Sequence, residues 1–217
     1  GVQLSILQEI TEAIETGQSK VIDTIMQKAI AAGENPNKIL DGMVRTMDVV
    51  GDKFSKGEIY VPEMLVAART MKKGIEVLKP YLMKINALTI GKCIIGTVAG
   101  DLHDIGKNLV SIMMESVGFE IIDLGVDVSA ETFINAIKTN PDVNIVACSA
   151  LLTTTMPTLQ DTVRAIKESG MTGFKIMVGG APITPEFAVK IGADGYAPDA
   201  GSAAMKAKEL VSSQIRP

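Results

Sequence analysis

Histidine occurs once in this 217-residue chain, at His103 within the run Gly100-Asp101-Leu102-His103-Asp104-Ile105-Gly106. An imidazole flanked by carboxylates is either a metal ligand or a residue of a surface loop, and this run alone leaves both readings open. Cys93 and Cys148 stand far apart in separate apolar runs, with neither CxxC spacing nor partnering histidines. They read as buried free thiols rather than as zinc ligands or a disulfide. Hydroxyls gather at Ser149 and Thr153-Thr154-Thr155, and a glycine pair stands at Gly179-Gly180. Without further context the threonines read as a helix N-cap cluster ahead of Pro157, and the glycines as a tight turn after a strand.

Two kinds of periodicity must position these residues. From Ser5 to about Lys84 apolar residues recur at helical spacing, as in Ile22, Ile25, Met26, Ala29, Ile30 and again in Ile39, Met43, Met47, Val50, Phe54. Gly17, the Gly33–Pro36 run and Lys56-Gly57 divide this half, which reads as four helices in a small bundle, the last beginning near Val61-Pro62. After Leu88 short apolar runs alternate with amphipathic stretches. Strands are expected at Lys92–Ala99, Glu120–Leu124, Asn144–Ser149, Lys175–Val178 and Gly195–Ala197. Helices are expected at Ile105–Val117, Ala130–Lys138, Met156–Glu168, Pro185–Ile191 and Gly201–Ser212. The expected fold class is α plus α/β: a helical bundle over residues 1–88, then a doubly wound, flavodoxin-like (Rossmann-like) five-stranded parallel sheet domain over 89–217. Binding in such sheets falls at the carboxyl ends of strands, where the His103, Ser149–Thr155, Gly179–Thr184 and Tyr196–Gly201 loops lie.

Composition removes several function classes. Apolar residues make up 47% and charged residues 21%, as expected of a chain that folds throughout. The net charge is −4 and no basic run exceeds Lys72-Lys73, so nucleic acid is not an expected partner. Cys93–Ala99 and Asn144–Leu152 are too short to cross a bilayer, and Gly1–Ser19 lacks the basic-then-apolar order of a signal peptide. A cytoplasmic location without membrane contact is expected.

The spaced set Asp101-x-His103-x-x-Gly106, Ser149-x-Leu151 and Gly179-Gly180 resembles, in order and in register, the cobalamin-binding domains of methionine synthase and the methyl-transfer corrinoid proteins. The resemblance implies a cobalamin or related corrinoid bound base-off/His-on, with His103 as the lower ligand of cobalt. It makes Asp101 the acceptor for the other imidazole nitrogen. Thr155 takes the place of a relay serine, a departure that keeps the hydroxyl and adds a methyl group. Ser149 is the candidate contact of the nucleotide tail base. Leu151 and Thr153 line the lower side, Gly106, Gly179 and Gly180 admit the tail, and Tyr196, Ala197 and Asp199 belong to the segment closing over its end. Glu58–Met71 resembles the helical cap over the methyl-bearing face, with Tyr60, Met64, Ala67 and Met71 along one side of a helix. Other methionines, of twelve in all, read as core filler.

The resemblance implies a methyl carrier. A donor-specific methyltransferase loads it, methylamines being the favoured donors, and an acceptor methyltransferase unloads it to folate or a thiol carrier. A reductive activase is a further expected partner. The chain itself then holds the cofactor and needs partner enzymes for catalysis. Access to cobalt would require the bundle to swing on a connection near Lys84–Gly91. The alternatives are an adenosylcobalamin-dependent mutase subunit, for which no barrel domain is present, and a cobalamin-dependent sensor or regulator. The cap of such a regulator typically uses Trp, which this chain lacks.

Overall fold

The computed structural model describes residues 3–82 and 89–212. It divides into two compact units, Gly1–Thr89 together with Ser116–Gly118, and Ile90–Glu115 together with Phe119–Pro217.

The first unit contains α1 (Ile6–Glu15), α2 (Ile22–Ala31), α3 (Pro36–Ser55) and α4 (Val61–Leu78). Local chemistry sets their starts. Ser5 Oγ accepts the Gln8 amide at 3.2 Å while Gln8 Oε1 accepts that of Ser5 at 2.9 Å, a reciprocal cap on α1. Asn35 caps α3 ahead of Pro36, and Glu63 Oε2 accepts the Tyr60 amide at 2.8 Å at the start of α4. Gly17 ends the first helical segment at φ +73°, where a Cβ would lie 2.5 Å from Val66 Cγ1. The apolar stripes face inward as expected: Ile22, Met26, Ala29, Ile39, Met43, Met47 and Val50 are all buried. Lys53 and Glu15 form an ion pair between α3 and α1.

The second unit contains β1 (Gly91–Thr97), α5 (Ile105–Ser116, all but its last residue), β2 (Phe119–Asp123), α6 (Ala130–Thr139), β3 (Ile145–Ser149), α7 (Met156–Glu168), β4 (Lys175–Gly179), α8 (Pro185–Lys190), β5 (Gly195–Tyr196) and α9 (Ala200–Ser212). All strand pairs are parallel, and the order is β2-β1-β3-β4-β5. The connections leaving β1 and β3 therefore diverge at the switch point of the sheet. Ile94, Val98, Phe133, Val146, Leu159, Val163 and Ile176 belong to one buried cluster, along with Cys148. Cys93 is buried too, and both thiols are free, as the sequence suggests.

Two differences from the expected elements bear on the site. β1 stops at Thr97 rather than Ala99, because Val98 pairs with Val128 in an isolated bridge and Ala99 enters a turn. Thr153–Thr155 forms a 3-10 turn ahead of α7, and the Thr155 side chain makes no capping bond to that helix. It is directed to another partner.

The candidate corrinoid site

Every expected strand-end loop lies at the carboxyl end of the sheet, and hydrogen bonds join several of them. The turn after β1 carries Asp101, which is wholly buried although its carboxylate is charged. Burial of that kind requires donors for both oxygens. Oδ1 accepts the His103 amide at 3.1 Å and lies 2.7 Å from His103 Nδ1. Oδ2 accepts the Leu151 amide at 2.7 Å and the Thr155 hydroxyl at 2.8 Å. Loss of water alone would raise the Asp101 pKa, but the bonds from Leu151, His103 and Thr155 outweigh it and hold the group at about 2. Asp101 is thus an obligate acceptor over the working pH range.

That charge state fixes the histidine tautomer. A carboxylate can only accept, so Nδ1 of His103 carries the hydrogen and Nε2 of the neutral ring carries the lone pair. Nε2 has no hydrogen-bond partner among the described residues, and the side chain is 54% exposed. A ring nitrogen facing outward, with its opposite nitrogen tied to a carboxylate, is the arrangement that metal-ligating histidines use. No cluster of three or more His, Cys, Asp or Glu side chains suited to holding an ion by itself occurs among the described residues. One protein ligand fits a metal that brings its other ligands with it, as a corrin does.

The surroundings fit such a group. Leu102 and Ile105, on either side of His103 in the chain, are 72% and 76% exposed, so the turn carries exposed apolar side chains as well as the imidazole. Gly106, at the start of α5, has nothing within 4 Å of where a Cβ would stand. The other glycines serve the protein's own backbone. At Gly180, with φ +127°, a Cβ would lie 1.9 Å from the Ala150 carbonyl oxygen, and at Gly179 one would lie 3.0 Å from that of Ala197. Their missing side chains let the loops after β3, β4 and β5 close on one another, and the Ala150 amide donates to the Gly179 carbonyl at 3.2 Å.

The remaining expected residues differ in what they contact. Ser149 is half-buried at the end of β3, its Oγ 3.1 Å from Thr97 Oγ1. Leu151 contributes its amide to Asp101, and Thr153 is exposed in the 3-10 turn. The Tyr196 hydroxyl donates to the Ile183 carbonyl at 3.1 Å, and Asp199 Oδ1 accepts the Ser202 amide at 2.8 Å in the first turn of α9, so both polar groups brace the framework. Ala197 is buried. Tyr60 and Met64 belong to the first unit, where they do not share an environment. Tyr60 precedes α4 and is exposed, whereas Met64, Ala67 and Met71 are buried.

One participant has no counterpart in the sequence reading. Thr97 is wholly buried, and its Oγ1 donates to the His103 carbonyl at 2.9 Å. Its signal was a hydroxyl residue inside the apolar run Cys93–Ala99.

A doubly wound sheet with a single outward imidazole at its switch point defines a cobalamin-binding class of protein. Comparison with known proteins agrees: residues 91–205 match the B12 binding domain, and residues 6–79 match a second family described by the same words. The chain is 42% identical to trimethylamine corrinoid protein 2 of Methanosarcina acetivorans, over 96% of this chain and 97% of that one. It is 40% identical to dimethylamine corrinoid protein 1 of the same organism, over 95% and 97%. A chain of the methanol:cobalamin methyltransferase complex from Methanosarcina barkeri superposes with a TM-score of 0.77 at 28% identity, covering 95% of this chain and 80% of that one. The protein belongs to the B12-binding corrinoid protein family.

Proposed function

We propose that this chain is a methyl carrier that holds a corrinoid base-off, with His103 Nε2 as the lower ligand. The observation that carries the reading is the His103–Asp101–Thr155 chain, which leaves one imidazole lone pair facing outward at the strand ends. When bound, a corrinoid supplies a cobalt centre that takes up a methyl group from one partner and gives it up to another. The protein's part is to hold and release the ligand. Asp101 keeps the hydrogen on Nδ1 while Nε2 is engaged. On release, Nε2 is free to take up a proton, and the fixed negative charge of Asp101 offsets the imidazolium. Thr155 limits how far that charge is exposed, through its hydroxyl bond to Oδ2. Ser149, Leu151, Thr153 and Gly106 are the proposed contacts of the corrinoid and its tail. Gly179, Gly180, Tyr196, Ala197 and Asp199 are assigned to the segments around the tail.

Methylamines are the donor class, supported by the two relatives named for trimethylamine and dimethylamine. A donor-specific methyltransferase, an acceptor methyltransferase using folate or a thiol carrier, and a reductive activase are the proposed partners. Tyr60 and Met64 are assigned to shielding the methyl-bearing side, with residues 1–88 and 89–217 as the two functional domains. The proposed hinge near Lys84–Gly91 lies largely outside the described residues. No helix among those described is long and apolar enough to cross a membrane. Two free thiols suit a reducing cytoplasm.

The test is reconstitution with hydroxocobalamin, followed by methyl transfer with trimethylamine- or dimethylamine-specific methyltransferases. His103→Ala should retain the visible corrinoid band and lose most of the transfer rate. Unchanged transfer would refute the ligand assignment, and absence of a band in the unaltered protein would refute the function.

A further inference from the structure

The connection from β2 to α6 makes no hydrogen bond to the His103 ring among the described residues, yet it grips the turn that carries the ring. Asp127 Oδ1 accepts the Gly100 amide at 2.7 Å, and the Asp127 amide donates to the Asp101 carbonyl at 3.0 Å. Its backbone is held at φ +53°, making it the one described non-glycine residue with positive φ. That conformation is strained for an L-residue, and glycine would avoid the strain. A side chain kept at such a position calls for a compensating contact, and the bond to Gly100 is that contact. The other end of the turn is fixed to the same connection. Lys107, buried in the first turn of α5, donates to Asp123 Oδ2 at 2.6 Å at the end of β2. Asp123 Oδ1 in turn accepts the Gly125 amide at 2.8 Å, and the Gly125 carbonyl accepts the Thr97 amide at 3.0 Å. Residues 100–107 are thereby suspended between two anchors on one neighbouring segment. Asp101 takes part through its backbone as well as its carboxylate.

We infer that Asp127 is a positioning residue for the His103 imidazole, acting through Gly100 and the main chain of Asp101. This rests on His103 being the cobalt ligand. Without the Asp127 carboxylate, the turn can relax away from β2, and the Asp101–His103 pair is no longer aimed along one direction. Glycine at 127 removes the acceptor and the strain together, so it is a mild change for the fold. Asparagine keeps an acceptor oxygen and tolerates the same backbone conformation.

Because His103 is the sole histidine, isotopically labelled histidine reports on it alone. In the untagged apoprotein, the imidazole nitrogen spectrum should show the Nδ1–H form in the unaltered chain and in Asp127→Asn. In Asp127→Gly the ring should exchange between tautomers. After loading with hydroxocobalamin and reduction to cobalt(II), the ratio of histidine-ligated to unligated corrinoid, read from the intensities of signals with and without label-sensitive nitrogen splitting, should fall about fivefold in Asp127→Gly, the ratio conferred by one hydrogen bond of ordinary net strength. Asp127→Asn should restore it, with corrinoid content equal in all three. An Asp127→Gly chain that matches the unaltered one in both spectra would overturn the inference. So would an Asn variant as impaired as the Gly variant, or a Gly variant that no longer folds, since the bond would then serve the whole fold. If the unaltered chain itself lacks label-sensitive splitting, the ligand assignment falls and the inference with it. If that splitting is present but insensitive to Asp127→Gly, the inference alone falls.

Discussion

Thr155 Oγ1 and Asp101 Oδ2 lie 2.8 Å apart although 54 residues separate them in the chain. The contact ties the 3-10 turn before α7 to the turn after β1, at the ends of the adjacent strands β1 and β3. Both groups are buried, so removing the hydroxyl takes one of two donors from Asp101 Oδ2 and leaves only the Leu151 amide there.

Thr155→Val should therefore destabilise the apoprotein by roughly 1–3 kcal/mol, the cost of withdrawing one donor from a buried charged acceptor. Thr155→Ser keeps the hydroxyl and should lose less than half of that amount. Urea denaturation of the three chains at neutral pH measures the difference.

Acid should remove part of the stability supplied by Asp101. Its pKa lies near 2 in the folded chain against 3.8 ordinarily, so the unfolded state binds the proton first as pH falls. The contribution is complete above the ordinary value and disappears as pH drops through 3.8 towards 2. At about 1.4 kcal/mol per unit it amounts to about 2 kcal/mol. The stability gap between the unaltered chain and Asp101→Asn should narrow by about that amount between pH 6 and pH 2, as read from denaturant midpoints.

Two glycine substitutions should have opposite signatures. Gly180→Ala forces a methyl group against the Ala150 carbonyl in a left-handed backbone, and should cost about 3 kcal/mol or more before any ligand is added. Gly106→Ala meets open space at the start of a helix, and should leave the apoprotein unchanged or up to about 0.5 kcal/mol more stable. If Gly106 borders the corrinoid, its variant should nevertheless take up less hydroxocobalamin. Thermal melts beside a cobalamin-binding titration separate the two effects.

The thiols should be inert in the native protein. Burial pushes Cys148 up to about 12 and Cys93 higher still, so neither forms thiolate near neutrality. A disulfide reagent should count no thiols in the native chain and both in denaturant. Rapid modification without unfolding would contradict this.

The architecture was legible because its signals are local. Helical spacing in Ile22–Ile30 and Ile39–Phe54, and the later alternation of apolar runs with amphipathic stretches, follow directly from which faces must be buried. Strand-end placement then singled out the His103, Ser149 and Gly179 loops, and the ordered set of residues supplied the cofactor. Partnerships between distant loops were less legible. Nothing near Thr97 in the sequence shows that its hydroxyl reaches the His103 carbonyl, and nothing near Asp127 shows a bond to Gly100. Gly179 and Gly180 were read as room for a ligand's tail, yet their bare side faces backbone carbonyls that only the folded chain brings up. Tyr196 was assigned to the segment closing over the tail's end, and its hydroxyl donates to the Ile183 carbonyl, a bond that only the folded chain reveals.

The hydrogen bonds that converge on Asp101 are complete within the protein itself. The ordering entropy of the His103 turn is therefore incurred when the chain folds, and little of it remains to be lost when a ligand arrives. Uptake of a corrinoid should accordingly resemble the docking of two rigid bodies, with small loss of loop motion. Variants that loosen the turn would shift that entropy from folding to binding, weakening affinity even where every atom that touches the ligand is unchanged.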